Sequence, residues 1–320
     1  MPNITRRTWL VQGAAAGLLA TPPAWGAEFP ERPVRLVLPQ PPGGAADQMA
    51  RLLAERLEAL WGQSVVIEHK PGGGSVLATQ YVARSTPDGY AIGTAGSSLT
   101  INAVLRKDLP FRIGDLQPLA RVGYYTTVLL AHPDLPAQDV RGLLALARAT
   151  PQLYGSNGVG SAAHLAGELL AQMGGVNLQH VPYNGAAKMY TDMIGGRLPL
   201  GFAIATSAET FVKSGQLKVI GVTTAARSPL YPQWPAIAEQ LPGYEAVNWA
   251  GLYGPAGLPR AVLDKLSGSL IQVLRQPETR KALQGMGIEV AEQPAAEFEA
   301  FIRQDLERLA PVARKLGPLK

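Results

Sequence analysis

Two glycine-rich turns hold the residues best suited to gripping a small anion. The first, residues 39–47, reads Pro-Gln-Pro-Pro-Gly-Gly-Ala-Ala-Asp. Pro42, Gly43 and Gly44 let the backbone come close to a ligand, and the helix-period segment that follows opens with unpaired N–H groups and a partial positive charge suited to a carboxylate. The second, residues 154–164, reads Tyr-Gly-Ser-Asn-Gly-Val-Gly-Ser-Ala-Ala-His. Here the N–H groups of Gly158, Gly160 and Ser161, the Ser161 hydroxyl and the Asn157 amide can converge on one anion. Both turns also have plainer readings. Any tight strand-to-helix turn uses such glycines, and Asp47 and Ser161 are natural N-caps. His164 shares a helix face with Ser161 and fits a packed structural histidine as well as a reactive one. Two further runs complete the set: residues 93–98 offer the hydroxyls of Thr94 and Ser97, and residues 181–185 offer the Tyr183 ring, the Asn184 amide and Gly185. Lys188, the cation nearest this last run, reads as a solvated side chain.

Catalytic chemistry finds little support. There is no cysteine, so thiol catalysis, thiolate metal sites, disulfides and a lipidated N-terminal cysteine are excluded. His69, His132, His164 and His180 are scattered without metal-ligand spacing. No G-x-S-x-G elbow, phosphate-binding loop or H-E-x-x-H is present, and Gly72 to Gly74 lack the spacing of a dinucleotide fingerprint. No catalytic residue, cofactor or metal is therefore assigned. The enzyme alternative is an exported hydrolase or isomerase using Ser161 and His164.

Each of the four runs follows a β-rich stretch and all but the 93–98 run precede a helical one, which is where ligands sit in α/β sheets. Strands are expected at residues 34–38, 65–68 and 90–93, alternating with helices at 47–61 and 76–84. Met49, Leu52, Leu53, Leu57 and Leu60 form one apolar stripe on the first of these helices. After strands at 116–123 and 127–132 a second series begins: helix 140–149, strand 153–156, helix 162–173, strand 178–181, helix 186–194, and strands 198–204 and 218–222. A strand at 249–253 and helices at 259–274, 277–286 and 295–315 close the chain. This is an α/β protein with two units, each a mainly parallel sheet flanked by helices.

At 320 residues the chain accommodates about two domains, and 47% hydrophobic with 17% charged residues places it among folded proteins rather than disordered ones. Residues 1–26 contain Arg6 and Arg7, no acid, and an apolar run from Trp9 to Ala20 too short to span a bilayer. They read as an export leader, with Ala24 and Gly26 placing cleavage before Ala27; the context fits both the twin-arginine and the general secretory route. Loss of Arg6 and Arg7 lowers the formal charge from +5 to +3, a mild bias towards anions. No Lys/Arg cluster suited to many phosphates is present, so nucleic acid is not an expected partner.

In this order and spacing the motifs resemble one family, the substrate-binding proteins of tripartite tricarboxylate transporters, or Bug receptors. The resemblance runs from Phe29-Pro30 through Pro41-Pro42-Gly43-Gly44 with Asp47, Pro87-Asp88-Gly89-Tyr90, Ser161, His164 and Glu168, residues 180–185, Gly195-Gly196, and residues 251–257. It implies a two-domain periplasmic-binding-protein fold of type II-like architecture, with the ligand cleft between domains. Residues 27–127 and 248–320 would form domain 1, and residues 128–247 domain 2. It also implies a monomeric periplasmic receptor that takes a small organic carboxylate and delivers it to integral membrane transporter subunits. The Gly43-Gly44 and 158–161 turns would hold the carboxylate, with Thr94, Ser97, Asn184 and Gly185 as the next contacts. Where many relatives carry aspartates, this chain has Pro199 and Ala203. With Phe202, Ala203 makes that end less polar, disfavouring a ligand with an amino group. A ligand-sensing receptor for a signalling partner is the remaining alternative.

Overall fold

The computed structural model describes residues 29–183 and 185–316; the expected leader, its cleavage point and Asn184 lie outside the described residues. Two sheets organise the chain. The first contains β1 (Val34–Leu38), β2 (Val65–His69), β3 (Ala91–Gly96), β4 (Leu116–Tyr125), β10 (Asn248–Pro255) and β11 (Ile288–Pro294), in the order β11-β4-β10-β3-β1-β2. The second contains β5 (Thr127–Ala131), β6 (Gln152–Ser156), β7 (Leu178–Pro182), β8 (Leu200–Ile204) and β9 (Lys218–Val222), in the order β7-β6-β8-β5-β9.

Both sheets are mixed, where the sequence suggested mainly parallel ones. β1 runs parallel to β2 and β3, but β10 returns from the second unit and pairs antiparallel with β3 and β4. In the second sheet, β5 enters antiparallel to both β8 and β9. Two of the strands that break the parallel pattern, β5 and β10, are those by which the chain enters a sheet from the other one, and the third is the edge strand β11, antiparallel to β4.

Apolar periodicity explains how the helices attach. On α1 (Ala45–Trp61) the side chains of Met49, Leu53 and Leu57 are buried against β1 and β2, each contributing roughly 1.5–3 kcal/mol. α8 (Arg260–Arg275) shares that face, while α2 (Val76–Ala83) and α10 (Ala295–Leu316) cover the other. α4 (Val140–Ala149) and α5 (Ala162–Gly174) cover one face of the second sheet, and α6 (Ala186–Ile194) and α7 (Ala205–Lys213) the other. α3 (Ser98–Leu105) joins α5 and α10 through Ile101, Leu105, Leu165 and Leu309, and α9 (Pro277–Gly285) precedes β11. Among the described residues, no helix is long and apolar enough to cross a membrane.

The chain passes from the first sheet to the second at Thr126, between β4 and β5. Thr126 is fully buried, and its hydroxyl donates to the carboxylate of Glu289 on β11, which also accepts from Tyr124. Opposite, Gly123 faces the Glu289 carbonyl so closely that a Cβ would sit 2.0 Å from it. Side-chain bonds and backbone packing therefore hold the β4 end of the crossing against β11.

Candidate functional site

A cleft of about 470 Å³ opens where both sheets contribute walls. A larger groove of about 670 Å³, lined by Arg32, Arg35, Lys70 and Arg84, is walled by elements of the first sheet alone. Five helices begin at the shared cleft. Gly44, Ala45 and Ala46 bring the start of α1, Ser97 and Ser98 that of α3, Ser161, Ala162 and Ala163 that of α5, Gly185 and Ala186 that of α6, and Ile204 and Ser207 that of α7. Each helix start carries up to about half a positive charge and N–H groups with no carbonyl one turn back. Among the described residues lining the cleft, no side chain bears a formal charge. The result is an electropositive, donor-rich wall without a lysine or arginine among those residues, facing apolar surface from Met49, Phe202 and Trp249.

The expected site residues divide. Gly44, Thr94, Ser97, Asn157, Ser161, Gly185 and Ala203 line the cleft; Pro42, Gly43, Asp47, Gly158, Gly160, His164 and Tyr183 do not, and Asn184 lies outside the described residues. Internal bonds account for most of the second group. The N-cap of α1 is Gly44, not Asp47. Asp47 instead sits 3% exposed in the first turn, where its carboxylate accepts from Gly43 N (3.0 Å) and Arg51 Nε (2.9 Å), with His69 Nε2 at 3.2 Å. The hydrogen bond from Arg51 and that from Gly43 hold its carboxyl below the usual carboxylate range. Gly158 N donates to Ser156 Oγ and Gly160 N to His164 Nδ1, so these N–H groups build the turn. The free donors expected of the glycines fall instead to the alanines that begin α1 and α5. Tyr183 turns its hydroxyl to Asp192, away from the wall role expected of it.

Ser161 does cap α5: its Oγ accepts from His164 N (3.1 Å) and donates to Gly158 O (2.7 Å). No imidazole nitrogen takes its proton. His164 is buried and stacked on His180 at 4.0 Å, and His180 Nε2 lies 2.7 Å from Ser156 Oγ, with Ser156 fully buried. Burial, then the neighbouring His164, lowers the pKa of His180 to about 4; burial lowers that of His164, against the pull of Glu168. These histidines are neutral structural groups behind the turn. Among the described residues, no group of three or more His, Asp or Glu side chains is placed to hold a metal ion.

Several lining residues escaped sequence reading, among them Gln40, Tyr125, Thr127, Ser207, Asn248 and Trp249. Most sit at strand ends or just inside a helix, and only Gln40 belongs to a glycine-rich motif. Tyr125 and Thr127 flank the crossing at Thr126. The one signal that could have found them is the break between two strands at which the chain changes sheets.

Residues 49–318 match the family model described as tripartite tricarboxylate transporter family receptor. A UPF0065 protein of Bordetella pertussis is 33% identical over 304 residues, covering 94% of each chain, and BugT of the same organism is 29% identical over 310 residues, covering 95% of this chain and 94% of its own. The structure of R. palustris Rpa4515 with adipate superposes with a TM-score of 0.80 at 30% identity, covering 91% of this chain and all of that one. The chain therefore belongs to the tripartite tricarboxylate transporter receptor family.

Proposed function

We propose that the protein is a periplasmic receptor that encloses a small organic carboxylate between its two α/β units and delivers it unchanged to integral membrane transporter subunits. The observation that carries this reading is the set of five helix starts on a cleft with no charged side chain among the described residues that line it. Such a wall offers hydrogen-bond donors and partial positive charge to an anion but no counter-charge to an amino group. Burying a ligand ammonium there would leave it unpaired, at a cost of several kcal/mol. An acid without a cationic group is the ligand class that fits. The likeness to a protein whose structure holds adipate points the same way.

In this reading residues 27–127 with 248–320 and residues 128–247 are the two bodies, and the crossings between β4 and β5 and between β9 and β10 are the hinge. Residues 1–26 direct export and are removed before Ala27, and the mature chain works as a monomer. A hydrolytic role for Ser161 gains no support, because its hydroxyl is committed to the helix cap and His164 to Gly160.

Calorimetry against a panel of organic acids tests the proposal. The expected result is saturable binding of at least one acid, recovered chemically unchanged, with a rise in Tm that follows mass action. Conversion of an acid to product, lost in Ser161→Ala, would establish the enzyme reading instead.

A further inference from the structure

Helix starts account for one end of a ligand, but the cleft holds other polar groups, and their bonding separates them into two kinds. Ser97 Oγ accepts from Trp249 N (2.9 Å) and donates to Val247 O (2.8 Å). Ser161 Oγ is committed to its cap, Ser98 Oγ meets Ser75 Oγ at 3.1 Å, and Ser207 Oγ donates to Ile204 O (2.7 Å) and meets Tyr190 Oη at 2.6 Å. These four hydroxyls serve the fold. Thr94, Tyr125 and Thr127 differ. They line the same cleft at 4%, 8% and 3% exposure, and their hydroxyl oxygens have no hydrogen-bond partner within the protein.

A buried hydroxyl without a partner lowers stability, and an apolar isostere would remove that cost. Three of them, on residues that line one cleft, point to a role other than folding. Their placement narrows what that is. Thr94 lies on β3, Tyr125 ends β4 and Thr127 begins β5, so the three hydroxyls are shared between the two sheets, and two of them flank the crossing. Backbone N–H groups only donate and so recognise acceptors, whereas a hydroxyl both donates and accepts. The remaining walls carry the amides of Gln40, Asn157 and Asn248 and are otherwise mainly apolar, with Met49, Phe202, Ile204 and Trp249 among them.

We propose that Thr94, Tyr125 and Thr127 are the specificity-determining hydroxyls of this receptor. They hold a second oxygen function of the bound acid, a hydroxyl, carbonyl or further carboxylate, beyond the carboxylate held by the helix starts. The proposal rests on the carboxylate-receptor reading and selects, within it, oxygenated acids over acids with a bare alkyl chain.

The test uses Tyr125→Phe, which removes only a hydroxyl, and Thr94→Val and Thr127→Val, which exchange a hydroxyl for a methyl group. Two readouts are taken: Tm without ligand, and affinity by calorimetry for the matched probes adipate and hexanoate, and malate and butyrate. The wild-type protein is expected to bind the oxygenated member of at least one pair about 10-fold or more tighter than its partner. Each variant is expected to match or exceed the wild-type Tm while losing about 10-fold in affinity for the oxygenated acid and little for the bare one. Variants that keep wild-type affinities, or whose Tm falls along with affinity, would overturn the proposal while leaving the receptor reading intact. Wild-type protein that binds none of the four acids and no other acid of the panel would overturn both.

Discussion

Charge is kept out of this cleft by residues that stand close behind it. Asp47 lies in the first turn of α1, yet its carboxylate is occupied by Gly43, Arg51 and His69 and does not line the cavity. Its contribution is in place above the ordinary carboxylate pKa of 3.8 and is lost as pH falls through the lower value of the folded state. Asp47→Ala removes the acceptor that closes the 39–44 turn; the expected outcome at neutral pH is a Tm lower by a few degrees and several-fold weaker acid binding, measured by thermal denaturation and calorimetry. His180 behaves as a half-buried neutral base. Its pKa is lowered from 6.5 to about 4, so the stability it contributes is complete above pH 6.5 and lost as pH falls towards 4. Tm measured across that window should decline in the wild type. The decline should be shallower in His180→Gln, which keeps a polar group beside Ser156 but does not titrate there.

Elements position what residues alone cannot. The start of α5 reaches the cleft because the helix lies close to its sheet at Gly167, where a Cβ would stand 2.1 Å from the Tyr154 ring. Tyr154 is fully buried and donates to Glu168 Oε1 at 2.8 Å, so the ring cannot yield easily. Gly167→Ala should cost about 1–3 kcal/mol in denaturant unfolding and weaken acid binding by displacing Ala162 and Ala163. Such elements were largely legible in sequence: β1, α4, α6 and β9 fall where apolar runs and periodicity put them. Others hid for physical reasons. The polar side chains of α3 are satisfied by distant partners, Thr100 by Asp305 and Asn102 by Gly74, so its sequence lacks a polar face. α7 follows β8 with no turn residue between them. β11 carries the buried Glu289, whose partners Tyr124 and Thr126 lie far back in the chain. Glycine-rich turns marked the location of the cleft, but not that their N–H groups would be consumed internally. Tyr125 and Thr127 reach the cleft only because the chain changes sheets between them, and the break between two strands is the one local mark of it.

For the whole molecule, recognition reduces to electrostatics without ions. Two mixed sheets place five helix starts on one cavity, so a guest anion meets partial charges that are fixed by the fold. These groups need no reorganisation when an acid arrives and set no opposite charge against a neutral ligand. Such a site discriminates by the ligand's own charge, with shape and the second oxygen function refining the choice. The most direct measurement is calorimetric titration of each organic acid alongside its primary amide, which has nearly the same shape and no charge. At least one acid is expected to bind, and its amide about 100-fold more weakly or not at all. An amide that binds as tightly as its acid would contradict recognition by fixed backbone dipoles.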